Sequence, residues 1–237
     1  MTSAARAVIA VMAKAPRPGR VKTRLSPALS RVAAARLARA LLLDTLDTVR
    51  QVRGVHRVVL YAPRRSRASF RQLAGDFEPI AQRAGDLGRR LALAFRDLHA
   101  LGRGPVVVIG GDAPALPAAV LTRAIRVLAD GRHGAVLGPS ADGGYYLIGS
   151  RRPCAALFRG IAWSSPAVFS QTLARARRQR LAVAVLPRWW DVDTPADVER
   201  LRRWLAAHPT RLPHTRRCLR ALGVTPARRH SVRDATR

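Results

Sequence analysis

The sequence predicts an α/β fold: a three-layer, doubly wound, mainly parallel sheet. Three observations predict it. Continuous apolar runs at residues 6–13, 55–61 and 105–109 have the length of buried strands rather than helices. Segments with apolar residues at helical spacing alternate with them. Each of the runs at 6–13 and 105–109 ends in a loop rich in glycine and proline, the punctuation expected at a strand's carboxyl end.

Arg6 to Ala13 reads as the first strand, apolar on both faces. The run from Ala7 to Ala13 is too short for a signal peptide and lacks a small-residue cleavage site. Ser30 can cap a helix running to about Gln51, with Ala34, Ala38, Leu42, Leu46 and Val49 on one side. Val55–Tyr61 is the second strand, followed by a short helix around Arg67–Ala74 and a strand near Pro79–Gln82. Asp86 is placed to cap a helix through Leu98. Pro105–Ile109 is the third long apolar strand, and Pro117–Ala129 is helical.

Short strands at Ala135–Leu137 and Tyr145–Ile148 flank Ser140-Ala-Asp-Gly-Gly144. Ser164–Arg178 reads as a helix, Leu181–Leu186 as a strand and Ala196–Ala206 as a helix. From His208 onward the pattern breaks: prolines at 209, 213 and 226 among arginines read as a basic, flexible tail. The expected division is a nucleotide-binding transferase domain over residues 1–207 and a tail over 208–237.

Composition narrows the class. With 237 residues, 48% of them hydrophobic, the chain can build one large domain. Two cysteines cannot make a disulfide framework, which points to a reducing cytoplasm. No run reaches the length of a membrane span, so no membrane partner is expected. The net charge of +29 resembles a nucleic-acid binder's footprint. The arginines are nevertheless scattered, and aromatics do not alternate with them as a base-stacking platform requires. Nucleic acid is therefore expected to bind only non-specifically, through charge.

Of 43 basic residues only Lys14 and Lys22 are lysine. Both lie in the loop after the first strand, with Arg17, Gly19, Arg20 and Arg24 between and beside them. A lysine kept in so arginine-rich a chain suggests a site that needs a compact ammonium, and the loop reads as a phosphate cradle. A solvated charged turn is the plain alternative. It is not a Walker loop, because no Gly-Lys-Ser/Thr is present.

Acidic residues number only 14, so their positions carry weight. Asp112, after Gly110-Gly111 at a strand end, suits a Mg²⁺ or Mn²⁺ ion bridging phosphates; it could also be a turn residue before Pro114. Asp191 and Asp193 point the same way on an extended segment, which suits a second metal ligand, Asp193, with an orienting partner. Asp193 or Thr194 is also placed to cap the next helix. Asp142, Gly143, Gly144 and Tyr145 form either a hairpin turn or a substrate contact. Gly85 and Gly88, at a helix start, could receive a phosphate or a purine edge, or simply make a tight turn. Trp189-Trp190 could stack on a base, though core packing explains the pair better.

Several motifs, taken in order, resemble one family over roughly residues 6–206. They are Met12-Ala-Lys-Ala-Pro-Arg-Pro-Gly-Arg-Val-Lys-Thr-Arg-Leu25, Gly85-Asp-Leu-Gly88, Gly110-Gly-Asp-Ala-Pro-Ala-Leu116, Gly138-Pro-Ser-Ala-Asp-Gly-Gly-Tyr-Tyr-Leu-Ile-Gly149, Trp163-Ser164 and Asp191-Val-Asp-Thr-Pro195. The family is the bacterial glycosyltransferase-A-fold proteins catalogued as a domain of unknown function. More distantly, Lys22-Thr-Arg-Leu-Ser-Pro27 is similar to the loop of phospholactate guanylyltransferases, and the Asp-Val-Asp-Thr turn to that of molybdenum-cofactor nucleotidyltransferases.

The resemblance implies a fold like that of nucleotide-diphospho-sugar transferases, with phosphates on the basic loop. It also implies Asp112 as metal ligand and Asp193 as a plausible second. Asp142-Gly-Gly-Tyr departs from the guanylyltransferase pattern, so it leaves the acceptor unassigned.

Two chemistries follow. The first is nucleotidyl transfer from an NTP to a phosphorylated small molecule or sugar, with Lys14, Arg17 and Lys22 on the leaving pyrophosphate. The second is glycosyl transfer from a nucleotide-sugar, with Asp142 as the base. A non-catalytic nucleotide- or nucleic-acid-binding module is the third reading.

Overall fold

A computed structural model describes residues 6–101 and 104–224 of the protein. A seven-stranded sheet runs through it in the order β3-β2-β1-β4-β6-β5-β7. The strands are β1 (Val8–Lys14), β2 (His56–Ala62), β3 (Glu78–Ala81), β4 (Val106–Gly110), β5 (Ala135–Pro139), β6 (Tyr145–Ser150) and β7 (Val183–Val185). β6 pairs antiparallel with β4 and β5, and every other pairing is parallel. In the central ladder Val11 lies between Val59 and Ile109, so β1 is buried on both faces, as its unbroken apolar run predicts.

The side-chain period of two sorts β1 onto two cores. Ile9, Val11 and Ala13 face α1 (Arg31–Arg50), α2 (Arg67–Leu73) and α4 (Ala118–Ala129), where Leu46, Phe70 and Leu121 pack. Val8 and Ala10 face the other layer, built on Leu91, Phe95 and Leu98 of α3 (Leu87–His99) with Phe158. Ser30 and Asp86 cap α1 and α3, each side chain accepting a backbone amide three residues on. None of the helices among the described residues is long and apolar enough to cross a membrane.

Two elements differ from expectation. α5 spans Val168–Arg178, four residues shorter at its start than the Ser-Ser-Pro signal predicts. Ser164 takes a left-handed backbone (φ 66°) and Ser165 bonds back to Ala162, so these residues form a turn instead.

The second difference is larger. Residues 208–224, read as the start of a flexible tail, include a docked helix, α7 (Pro213–Ala221), and residues 225–237 of that tail lie outside the described residues. Pro213 occupies the helix's first turn, where a missing amide costs nothing. Leu212 and Leu219 are buried with Leu201 and Leu205 of α6 (Pro195–Ala207) and with Leu37 and Leu41 of α1. The buried carboxylate of Asp44 on α1 accepts the amides of His214 and Thr215, capping α7 from the neighbouring helix. Arginine spacing hid the amphipathic stripe; the burial of two leucines reveals it.

Candidate active site

The carboxyl ends of the parallel strands meet at one edge, where a cleft of about 680 Å³ opens. Its walls include Lys14, Arg20, Lys22 and Arg24 from the loop after β1, Asp112 after β4, Asp142, Gly144 and Tyr145 from the β5–β6 turn, and Asp191 and Asp193 before α6. β6 runs against its neighbours, so its first residue, Tyr145, starts at this edge. Loops that follow parallel strands thus meet at one edge, as a doubly wound sheet arranges them.

The centre of the site is an ion-pair triad. Lys22 Nζ donates to Asp112 Oδ2 at 2.9 Å and to Asp193 Oδ1 at 2.6 Å, with its side chain only 8% exposed. Burial alone would lower the Lys22 pKa, but the attraction of Asp112 and Asp193 and their hydrogen bonds outweigh it and raise the pKa above the usual lysine value. Lys22 itself has a left-handed backbone (φ 49°) and begins a short turn, Thr23–Leu25, whose Leu25 is fully buried. Thr194, not Asp193, takes the helix cap: its hydroxyl accepts from Asp197, whose carboxylate in turn accepts the Thr194 amide. That division leaves the Asp193 carboxylate free to meet Lys22.

Asp191 completes the cluster. One oxygen each of Asp112, Asp191 and Asp193 lie within 4.8 Å of one another. The hydroxyl of buried Ser140 donates to Asp191 Oδ1 at 3.3 Å. Burial, reinforced by the charges of Asp112, Asp142 and Asp193, pushes the Asp191 carboxyl up to about 7. Three hard oxygen donors and a surplus of negative charge fit a divalent cation of the Mg²⁺ or Mn²⁺ kind. Sequence reasoning cast Asp191 as the orienting partner of Asp193; the structure brings it within reach of the other two carboxylates as a third candidate ligand.

The raised Asp191 pKa sets a pH dependence. Between its ordinary value of 3.8 and about 7, the folded protein keeps a proton that the unfolded chain releases. Stability without metal therefore falls as pH rises through that window and stays at its lower level above it. Asp191→Asn removes the cost. In thermal melts with chelator it should exceed wild type at pH 8 and lose that advantage by pH 4.

Other residues find different roles. Arg17 and Gly19 are not among the residues lining the cleft; Gly19 (φ 72°) makes the turn that the Arg20–Arg17 backbone bond closes. Gly85 and Gly88 also stand off the cleft wall. At Gly88 an added Cβ would lie 2.6 Å from Trp163 Nε1, so the indole already accounts for a glycine at this position. Gly143 (φ 90°) is required by the backbone of Pro166, which a Cβ would overlap. Asp142 Oδ1 accepts the Gly144 amide, shaping the hairpin turn at the cleft. Trp190 is buried in the core with the Arg200 guanidinium over its ring, as the core-packing alternative expects.

Gln82 and Arg90, which sequence reasoning passed over, also line the cleft. Gln82 Nε2 donates to the carbonyls of Ala13 and Leu60, and its Oε1 accepts from Arg90. Gln82 directly follows β3, so the strand-end rule applied to Asp112 would have found it.

A family profile described as "uncharacterized protein conserved in bacteria (DUF2064)" matches residues 45–165. The crystal structure of a Desulfovibrio desulfuricans G20 protein, provisionally named a nucleotide-diphospho-sugar transferase, is 32% identical with a TM-score of 0.84. That match covers 92% of this chain and 95% of the other. The chain belongs to the DUF2064 family. Within the family this chain keeps the fold of the nucleotide-diphospho-sugar transferases.

Two more distant structures share the fold. CMP:2-keto-3-deoxy-manno-octonic acid synthetase, solved with CTP, is 16% identical with a TM-score of 0.57, covering 86% of this chain and 99% of its own. A Mycobacterium tuberculosis H37Rv protein, Rv0371c, solved with manganese, is 20% identical with a TM-score of 0.53, covering 83% and 97%. No curated protein matches the sequence.

Proposed function

We propose that this protein is a metal-dependent transferase with a nucleotide donor, and that it transfers a glycosyl group from a nucleotide-sugar to a hydroxyl. The observation that carries this reading is the distribution of charge in the cleft. Four cations line the cleft from the loop after β1 and Arg90 adds one from α3, whereas the lining residues within 140–146 and 163–168 are serines, aromatic rings, small or apolar residues and Asp142, with no basic residue. In a chain with 43 lysines and arginines, two stretches free of them (134–150 and 160–174) mark a surface from which positive charge is kept away. Phosphates belong with the cations, and an uncharged acceptor belongs against the lining that carries none. The 32% identical relative named for nucleotide-diphospho-sugars agrees.

In this reading the donor's diphosphate lies along Lys14, Arg20, Lys22 and Arg24, whose charges stabilise it as a leaving group. Asp112, Asp191 and Asp193 would hold the divalent cation, which supplies charge neutralisation to the phosphates when bound. The acceptor hydroxyl attacks the anomeric carbon, the bond from that carbon to the phosphate oxygen breaks, and Asp142 takes the hydroxyl proton. The products are the glycosylated acceptor and a nucleoside diphosphate.

Nucleotidyl transfer is the second reading, favoured by the four cations along one loop, enough for a triphosphate. Calorimetric titration of each NTP and of UDP- and GDP-sugars, with and without Mg²⁺, separates the two in wild type and Asp112→Ala. Metal-dependent preference for a nucleotide-sugar, lost in the variant, supports glycosyl transfer. Preference for a triphosphate moves the assignment to nucleotidyl transfer, and metal-independent behaviour of both refutes the site. Asp142→Asn adds a second discriminator: kcat collapses if Asp142 is the base, whereas KM rises if it only holds the acceptor.

A further inference from the structure

Lys22 stands where two demands conflict. Its ammonium donates to one oxygen of Asp112 and one of Asp193, at 2.9 and 2.6 Å. Those carboxylates are two of the three candidate ligands for a divalent cation. The ammonium competes with a divalent ion for these carboxylates: it occupies part of their lone-pair capacity, and two positive centres so close repel each other. The lysine is held in this position rather than resting there by chance. It lies at the start of a turn whose Leu25 is fully buried, and its side chain is nine-tenths covered.

We propose that Lys22 is a tethered competitor of the metal ion, which partly neutralises the carboxylates until a phosphate-bearing donor draws the ammonium away. Metal and donor then enter as a unit. The donor's phosphates offer Lys22 a new anionic partner, and its departure opens Asp112 and Asp193 to the ion. Each ligand favours the state that the other needs, so the coupling is reciprocal. Free metal alone meets a site already occupied by the protein's own charge. The inference rests on the metal-dependent reading above, but it concerns the order and coupling of binding rather than the reaction.

The test is a Mn²⁺ titration of the full chain without nucleotide, followed by electron paramagnetic resonance of the free ion. Wild type, Lys22→Met, Lys22→Gln and the double variant Lys22→Met/Asp112→Asn are compared, with thermal melts as a second readout. Removing the competitor should tighten Mn²⁺ binding by roughly tenfold or more, as expected when two charge-assisted hydrogen bonds no longer oppose it. The double variant should lose that gain, and Mn²⁺ should raise the melting temperature of the Lys22 variants more than that of wild type. If Lys22→Met fails to fold, Lys22→Gln carries the comparison.

Binding by the folded Lys22 variants that equals or falls below wild type overturns the inference and leaves the metal site standing. Absence of Mn²⁺ binding in wild type and in both Lys22 variants removes the metal reading itself, and the inference with it.

Discussion

Asp112→Asn is expected to lower turnover by roughly 10²–10³-fold or more while the protein stays folded. The substitution keeps the shape of the side chain but removes the charge from a residue that faces both Lys22 and the other two carboxylates. Lys22 retains its 2.6 Å contact with Asp193, so the loop after β1 keeps a partner. Melting temperature should accordingly move by only a few degrees, the change expected of about 1 kcal/mol. Steady-state kinetics with the donor identified by calorimetry, set beside thermal melts, checks the prediction. Turnover within a factor of a few of wild type would remove Asp112 from the catalytic machinery.

The second large effect is on stability. A chain ending after residue 207 loses α7, which covers α1 and α6. Burying Leu212 and Leu219 contributes about 1.5–3 kcal/mol each. Asp44 loses the amides of His214 and Thr215 but gains access to water, so the lost apolar burial dominates the cost. Against a typical total of about 5–15 kcal/mol, the truncated chain should lose most of its stability. Leu219→Ala, a smaller lesion, should cost about 2–5 kcal/mol in urea unfolding. A truncated chain as stable as the full one would show that α7 contributes nothing to the fold.

This lesion should also reach the cleft. Leu25, Trp190 and Val192 share one apolar cluster with Leu212 and Leu219. They follow Lys22 and flank Asp191 and Asp193, so the loop carrying the lysine and the loop carrying two carboxylates rest on the same foundation.

Most of the fold was legible in the sequence because its signals were local. The apolar runs of β1 and β4, the helical spacing of α1, and the caps at Ser30 and Asp86 each state their own structure. Strand ends, read as those of a doubly wound sheet, then placed Lys22, Asp112 and Asp193 at one edge. What escaped depends on distant partners. The roles of Gly88 and Gly143 are set by Trp163 and Pro166, far away in sequence. α7 is a short, arginine-rich helix whose few apolar residues give little local signal, and only the buried surfaces of α1 and α6 decide for it. Lys22 could be assigned to phosphate from its chemistry, but its contact with two aspartates spans 90 and 171 residues of chain.

The reversed strand β6 has a consequence for how this scaffold can diversify. Pro139 and Tyr145 pair across the β5–β6 ladder, and of the five residues joining them Ser140, Asp142 and Gly144 line the cleft from the tip of an antiparallel hairpin. Lengthening or recolouring that tip alters what the cleft can embrace, yet no ladder partner changes register and the basic loop keeps its place. Ala141 and Asp142 at the tip are thus the exchangeable positions, whereas Ser140 and Gly143, tied to Asp191 and Pro166, belong with the lysine and the carboxylates to the chassis.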